Sequence, residues 1–539
     1  MQGYLLIIGA VILICILMNR FISKLAIPSL LIFIALGMCF GENGIFRISF
    51  DNYEISEIIC SACLIFVMFY GGFGTNFSTA KPVVVKSVLL SSLGVVLTAG
   101  LVGVCAHFLL NLPWLESFLI GSVVSSTDAA SVFNILRSKK LALKFNTAPL
   151  LEIESGSNDP ISYMLTVIFI TLMTGEEISI PWMLTKQIVF GLVCGFLLGK
   201  ILIWLMGRFN FLKEYEKTIF VFAIAVVSYA LPSVIGGNGY LSVYLCGILL
   251  GNSKISQKRY LVHFFDVVTD VAQVIIFFLL GLLVTPANLP QVFLPALIIT
   301  VCMTFLVRPV VITAILAPFR SSFRQIGVVS WAGLRGVASI VFAIMAVVNG
   351  LSLQHNLFNL VFCIVLLSIS FQGTLLPWVS KKLKMIDQSD DVSKTFNDYQ
   401  EDSDISFIKI HIEAGHSWEN LPLKSITLPR DLLVVMIERD ETSIIPNGDT
   451  IILRGDLLIL AARVFEDREN VMIREVPVDK NYKWDGKPLR ELDAPKETLV
   501  ILIRRGQQNI IPDGGTIIKD GDILIVAQPG TQLFTNIAK

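Results

Sequence analysis

Thirteen apolar stretches separated by short polar breaks fill the chain as far as residue 378, with approximate cores at 3–19, 25–40, 55–73, 87–110, 115–136, 148–173, 180–206, 216–232, 240–252, 266–285, 291–318, 323–349 and 356–378. All but the short ninth stretch are of a length that can cross about 30 Å of hydrocarbon. A backbone inside lipid must satisfy its own polar groups, so runs of this kind fold as helices. The expected fold class is therefore a polytopic α-helical membrane protein with thirteen transmembrane helices. Composition agrees: 54% of residues are hydrophobic, 16% are charged and the mean hydropathy is +0.73, too apolar for a soluble globular chain. Nucleic-acid binding, secretion and a single-domain soluble enzyme are excluded. Met1 to Asn19 has no positive charge ahead of its apolar run and no small-residue cleavage site, so it reads as a retained first span.

The net charge of zero hides two halves: a net of +9 through Lys384, and a net of −9 from Met385 onward. The first is expected to be a membrane domain (1–384) and the second a linker (385–404) leading to two small soluble domains (405–470 and 471–539). Alternate loops of the membrane domain carry Arg20/Lys24, Lys81/Lys86, Arg137/Lys139/Lys140/Lys144, Arg208/Lys213/Lys217, Lys254/Lys258/Arg259, Arg320/Arg324 and Lys381/Lys382/Lys384, whereas the intervening loops carry little beyond Arg47. The positive-inside rule then places the N-terminus outside and the tail in the cytoplasm, lipid being the surrounding partner. All nine cysteines lie in the apolar part, which argues against a disulfide framework.

Charged residues within these spans carry the functional signal, because each costs roughly 2.5–3.5 kcal/mol at mid-bilayer and normally faces a cavity or a partner. The fifth span holds Ser125-Ser126-Thr127-Asp128. The sixth opens with Glu152-Ile153-Glu154-Ser155-Gly156-Ser157-Asn158-Asp159-Pro160. Asp266 and Asp270 lie in the tenth span, Arg308 in the eleventh, and Gly333-Leu334-Arg335-Gly336 in the twelfth. Ser155 and Asp159 share one helix face, and Glu154 and Asn158 the adjacent one. Thr127-Asp128 and Gly333–Gly336 are places where a helix can unwind at the midplane, as transporters do to build ion sites. Ser125 and Ser126 read more simply as hydroxyls bonded to the preceding turn, Asp266 and Asp270 as interfacial carboxylates, and Arg308 as a structural cation. Asp128 and Asp159 resist that reading and are the candidate transport carboxylates.

Taken together, Glu154-Ser155-Gly156-Ser157-Asn158-Asp159-Pro160, Ser126-Thr127-Asp128-Ala129 and Gly333-Leu334-Arg335-Gly336 resemble the monovalent cation:proton antiporter-1 family, the NhaP-like sodium/proton and potassium/proton exchangers. The resemblance spans Met1 to Lys384 and implies inverted six-helix repeats after an extra first helix, with the fifth and twelfth spans crossing where they unwind, in a homodimer. It implies that Asp159 binds cation or proton, that Thr127, Asp128, Ser155 and Asn158 line the site, and that Glu154 pairs with Arg335. Asn158 stands where electrogenic relatives carry a second aspartate. Met68 to Phe73 in the third span is neutral, whereas some archaeal members supply an acidic ligand there.

A carboxylate in low dielectric holds a proton or a cation rather than standing bare, so the two compete for one site. With Asn158 neutral, one cation replaces one proton and no net charge moves. The expected function is electroneutral exchange of K+ or Na+ for H+ across the inner membrane, with K+ favoured, and with no cofactor and no metal beyond the transported ion.

In the tail, Trp418–Leu460 aligns without gaps onto Trp484–Val526, with 19 of 43 pairs identical. Short β-branched runs between Asn-Gly, Asp-Gly and Gly-Asp turns indicate small β-rich α+β units, each with a short helix near Leu423 or Leu489. They resemble tandem RCK C-terminal (TrkA-C) ligand-binding domains, which implies a regulatory nucleotide or cyclic dinucleotide. A ligand-gated cation channel is the competing class: Tyr70-Gly71-Gly72-Phe73-Gly74 has the small residues of a selectivity filter but lacks a preceding Thr-Val. An intramembrane enzyme would need clustered ligands or a nucleophile, and His107, His263 and His355 are scattered.

Overall fold

The structure is a computed structural model. It describes residues 9, 13 and 29–387 apart from 43, 49, 51, 76, 78–80, 140, 176–178, 209–213, 254–257, 352 and 355. It also describes 405–529, with breaks at 413–414, 417, 427, 429–431, 440–441, 464–470, 479–482, 493–498, 506–507 and 511. The first expected span (9 and 13 apart), the loop charges Arg20, Lys24, Lys140, Lys213 and Lys254, and the linker from 388 to 404 lie outside the described residues. The chain divides into two compact units, Met1–Gln400 and Glu401–Lys539.

Each later apolar stretch is helical. In order these are α1 (Ser29–Phe40), α2 (Tyr53–Gly74), α3 (Val84–Leu110), α4 (Trp114–Ser125) and α5 (Ala129–Ser138), then α6 (Thr147–Thr174), α7 (Ile180–Arg208), α8 (Glu214–Val234), α9 (Gly239–Gly251) and α10 (Lys258–Leu283). They are followed by α11 (Pro286–Phe319), α12 (Phe323–Trp331), α13 (Val337–Val348) and α14 (Leu357–Lys382). Among the described residues, 7 of them are long and apolar enough to cross a membrane, and four more are shorter apolar helices. The helix α6 is 28 residues long, which at 1.5 Å per residue spans about 42 Å. It falls outside the apolar set because Glu152, Glu154 and Asp159 sit within it. The lipid-facing character of the bundle shows on α7 and α8, where Trp182, Phe196, Leu197, Trp204, Ile219 and Leu231 are exposed. In water such a belt would be an association surface, and in lipid it is the matching solvent.

Small residues bring helices close where lipid offers no hydrophobic drive. A Cβ on Gly247 would lie 2.3 Å from the Phe69 carbonyl oxygen, and one on Gly251 2.1 Å from that of Phe73. This clamps α9 against α2. Asparagine and serine caps start the helices: Asn52, Asn238 and Asn356 each accept from the backbone N–H three residues on, at 2.9, 3.0 and 3.1 Å, and Ser322 does so for α12 at 3.2 Å.

Beyond α14 the chain does not leave the membrane unit at once. Strand β1 (Ala142–Leu143), between α5 and α6, pairs antiparallel with β2 (Ile386–Asp387). The Lys144 N–H donates to the Met385 carbonyl at 2.9 Å, and Met385 is fully buried. Met385 to Asp387, expected to open the linker, are instead held by an apolar anchor and a backbone ladder.

The second unit contains two four-stranded antiparallel sheets, ordered β3-β6-β4-β5 and β7-β10-β8-β9. Their strands are β3 (Ile405–His411), β4 (Leu432–Arg439), β5 (Thr442–Ile444), β6 (Leu457–Arg463), β7 (Val471–Pro477), β8 (Leu499–Arg505), β9 (Gln508–Ile510) and β10 (Asp522–Pro529). The expected short helices are single 3-10 turns, Leu423–Ser425 and Leu489–Glu491. The repeat extends to side chains. Arg439 forks onto buried Asp456 with both bonds 2.7 Å, and Arg505 onto buried Asp522 with both 2.8 Å. Asn447 and Asp513 likewise accept from the hydroxyls of Thr450 and Thr516 at 3.0 and 2.6 Å, so these residues shape turns.

Candidate functional site

The two unwound segments meet. Ser126, Thr127 and Asp128 separate α4 from α5, and Gly333 to Gly336 lie between α12 and α13. The Asp128 N–H donates to the Leu334 carbonyl at 2.8 Å, tying one break to the other. A Cβ on Gly336 would stand 2.3 Å from Asp128 Oδ2 and 2.6 Å from its Cγ, so only glycine permits this approach. Asp128 also caps α5, accepting from Ser131 N–H at 3.3 Å and from Ser131 Oγ at 2.5 Å. Its carboxylate thus lies at the N-termini of both α5 and α13, where two helix dipoles favour negative charge.

The opposite polarity is handled by Arg335. Its Nη1 donates to the Ser125 and Ser126 carbonyls, each at 2.7 Å, and its N–H to Ser368 Oγ at 3.1 Å. The side chain is wholly buried and supplies the cation that the C-terminal carbonyls of α4 need. This corrects the expected ion pair. Glu154 binds Arg308 on α11, Nη1 to Oε1 at 2.8 Å, with both side chains buried and Arg308 also donating to the Val329 carbonyl at 3.1 Å. Arg335 is committed to the carbonyls of the broken helix, leaving Arg308 to neutralise Glu154.

The faces of α6 divide as their spacing predicts. Asn158 and Glu154 point into the protein, and Asn158 Nδ2 donates to Thr127 Oγ1 at 2.5 Å. Ser155 Oγ donates to the Thr127 carbonyl at 2.6 Å. Asp159 accepts a hydrogen bond from Ser126 Oγ. The carbonyl of the next residue, Pro160, accepts from Asn238 Nδ2 at 2.9 Å. Thr127, Asp128, Ser155 and Asp159 all line a cavity of about 140 Å³, large enough for several waters. The structure therefore brings together all five residues expected to hold the cation or proton, Asn158 through its bond to Thr127.

Some participants were read otherwise from the sequence. Ser126, taken as structural, donates to the candidate carboxylate Asp159. Asp266 and Asp270, taken as interfacial, line the same cavity with Glu152. Their spacing of four on α10 was the available signal. The cavity is carried by the parts of α2, α6 and α10 nearer the ends that join the basic loops.

The sequence pattern described as "sodium/hydrogen exchanger, transmembrane" matches residues 9–382, and that of the TrkA-C domain matches 408–464 and 473–533. The chain is 33% identical over 451 residues to the K(+)/H(+) antiporter NhaP2 of Shewanella sp. (strain ANA-3), covering 82% of this chain and 78% of that one. It is 34% identical over 385 residues to the K(+)/H(+) antiporter NhaP of Alkalimonas amylolytica, covering 71% and 67%. It is 28% identical over 367 residues to Na(+)/H(+) antiporter 1 of Methanocaldococcus jannaschii, covering 66% and 84%. Its fold is similar to that of the sodium proton antiporter MjNhaP1 from Methanocaldococcus jannaschii, with a TM-score of 0.63 at 23% identity, covering 71% of this chain and 97% of that structure. Two crossed breaks, a buried carboxylate site and these matches lead to one conclusion: the chain belongs to the sodium/hydrogen exchanger family and carries two TrkA-C domains.

Proposed function

We propose that the protein is an electroneutral monovalent cation:proton antiporter that exchanges K+ for H+ across the inner membrane in potassium and pH homeostasis. The observation that carries this reading is Asp159, which lines the cavity and accepts from Ser126 in the break between α4 and α5, next to a neutral Asn158 that bonds Thr127. Asp159 takes either a proton or a cation. The two compete, and the unit crosses only when the charge is neutralised. With Asn158 adding none, one proton exchanges for one cation. An outward potassium gradient then expels potassium and imports protons. Potassium is favoured over sodium because relatives at 33% and 34% identity are named as K(+)/H(+) antiporters; the relative at 28% is named for sodium.

The same reading takes thirteen spans in two inverted repeats after the first helix, the basic ends and the tail in the cytoplasm, and a homodimer. The tandem TrkA-C domains regulate exchange through a nucleotide or cyclic dinucleotide. The test is cation-driven proton flux in proteoliposomes, in potassium and then in sodium, with the potential clamped at zero and at −100 mV. A transported net charge would feel about 2.3 kcal/mol, roughly a fiftyfold bias. Equal rates at both potentials support electroneutral exchange, and a strongly potential-dependent rate refutes it. Faster saturation by sodium than by potassium refutes the choice of potassium.

A further inference from the structure

We infer that one face of α10, formed by Asp266, Thr269, Asp270 and Gln273, is a second monovalent-cation site that hands the ion to Asp159; this rests on the antiport reading above. The four residues follow an i, i+3, i+4, i+7 spacing and line the cavity that also contains Asp159, so they share one face of the helix. Two carboxylates one helical turn apart repel each other unless a proton or a cation neutralises the pair. Asp266 is held in place by Tyr70 of α2, whose hydroxyl donates to Oδ1 at 3.1 Å.

A second observation points to a ligand. The Thr269 side chain, 7% exposed, lines the cavity and its Oγ1 has no hydrogen-bond partner among the described residues. A buried hydroxyl normally bonds to a partner, an ordered water or an ion. In a long helix the simplest alternative is a bond to the carbonyl one turn back, and Thr300 and Thr304 of α11 make that bond at 2.7 Å each. Thr269 does not. Its oxygen lies on the same helix face as the two carboxylates and the Gln273 amide.

The field around it has one sign. Asp128, Glu152, Asp159, Asp266 and Asp270 line the cavity, and among the described residues no lysine or arginine does. Such a cleft concentrates cations. Carboxylate, hydroxyl and amide oxygens are also the ligands that replace part of the hydration shell of a monovalent ion. Conduction through successive sites requires binding strong enough to admit the ion and weak enough to release it. A set with two carboxylates, partly open to the cavity because Asp270 is exposed, fits that intermediate step. Asp159, bonded to Ser126 in the break between α4 and α5, fits the final one.

The experiment uses the full chain and thallous ion as the probe. Asp159→Asn, which removes the transport carboxylate, should still bind Tl+ by isothermal titration, and the added substitution Asp266→Asn should abolish that binding. In proteoliposomes, Thr269→Val and Asp270→Asn should each raise the apparent KM for potassium about tenfold, the effect of roughly 1.4 kcal/mol, with a smaller change in maximal rate. Thr269→Ser, which keeps the oxygen, should restore the KM. Loss of all Tl+ binding in Asp159→Asn, or wild-type KM in correctly inserted Thr269→Val and Asp270→Asn, overturns the second site. A wild-type protein that exchanges no cation for protons refutes the antiport reading instead, and the Tl+ titration still decides the site.

Discussion

Substituting Arg308 by methionine leaves Glu154, 2% exposed, without its hydrogen-bonded cation. The pair it breaks is 2.8 Å long, with no solvent to replace the lost partner. Removing one member of a buried ion pair costs about 3–5 kcal/mol, mostly the penalty of the stranded charge. At roughly 2 °C per kcal/mol for a large domain, the apparent Tm in detergent should fall by about 6–10 °C. Glu154→Gln added to Arg308→Met removes that stranded charge and should recover much of the loss, giving a coupling of roughly 2–3 kcal/mol in the double-mutant cycle. Arg335→Met should destabilise too, because the Ser125 and Ser126 carbonyls lose their donor. Arg335 makes no hydrogen bond to Glu154 but lies within electrostatic reach of it, so its coupling to Glu154→Gln should be present and smaller than that of Arg308. The assay is thermal unfolding of all five variants beside wild type. Strong coupling of Glu154 to Arg335 and none to Arg308 would refute the assignment.

Gly336→Ala should abolish cation-driven proton flux with insertion retained, since its Cβ would overlap Asp128 Oδ2 at 2.3 Å and push apart the two breaks; normal exchange in that variant would refute the crossing geometry. Truncation after Asp387 should leave an inserted, active exchanger with altered ligand dependence, whereas truncation after Lys384 should also lower stability by exposing the β1 strand and the site of Met385; equal melting of the two truncations would contradict the anchor. In the tail, the Arg505 guanidinium holds the Asp522 carboxyl below its ordinary value of 3.8, against the opposing effect of burial. That stability is present above the unfolded pKa and is lost as pH falls through the lowered folded value, so wild-type β10 should lose hydrogen-exchange protection progressively as pH falls below about 5. Arg505→Gln should show a smaller loss over the same window, and an unchanged acid profile would show that the pair does not set it.

Most of this site could be read from residues in sequence order. The breaks at Thr127-Asp128 and Gly333–Gly336 were legible because polar and glycine residues interrupt apolar helices, and the two faces of α6 followed from spacing alone. The partner of Glu154 was not, since two buried arginines were available and only their depth and the demand of the α4 carbonyls decide between them. Asp266 and Asp270 share a face by arithmetic, but helical phase does not say whether that face looks at a cavity or at headgroups. Met385 sits next to a cluster of lysines, and its burial comes from a two-residue ladder to a distant loop that no local pattern announces. In the tail the repeat carried the whole pattern, down to the Arg439–Asp456 and Arg505–Asp522 forks, because the same turn must be closed twice.

The central claim is that Asp159 is the carboxylate at which cation and proton compete. The direct measurement is proton flux driven by a potassium gradient in proteoliposomes containing wild-type protein or Asp159→Asn, with insertion matched and the potential clamped. Asparagine keeps the shape beside Ser126 but removes the charge. Flux in wild type and none in Asp159→Asn is the predicted result; coupled flux in Asp159→Asn comparable to wild type would contradict the account.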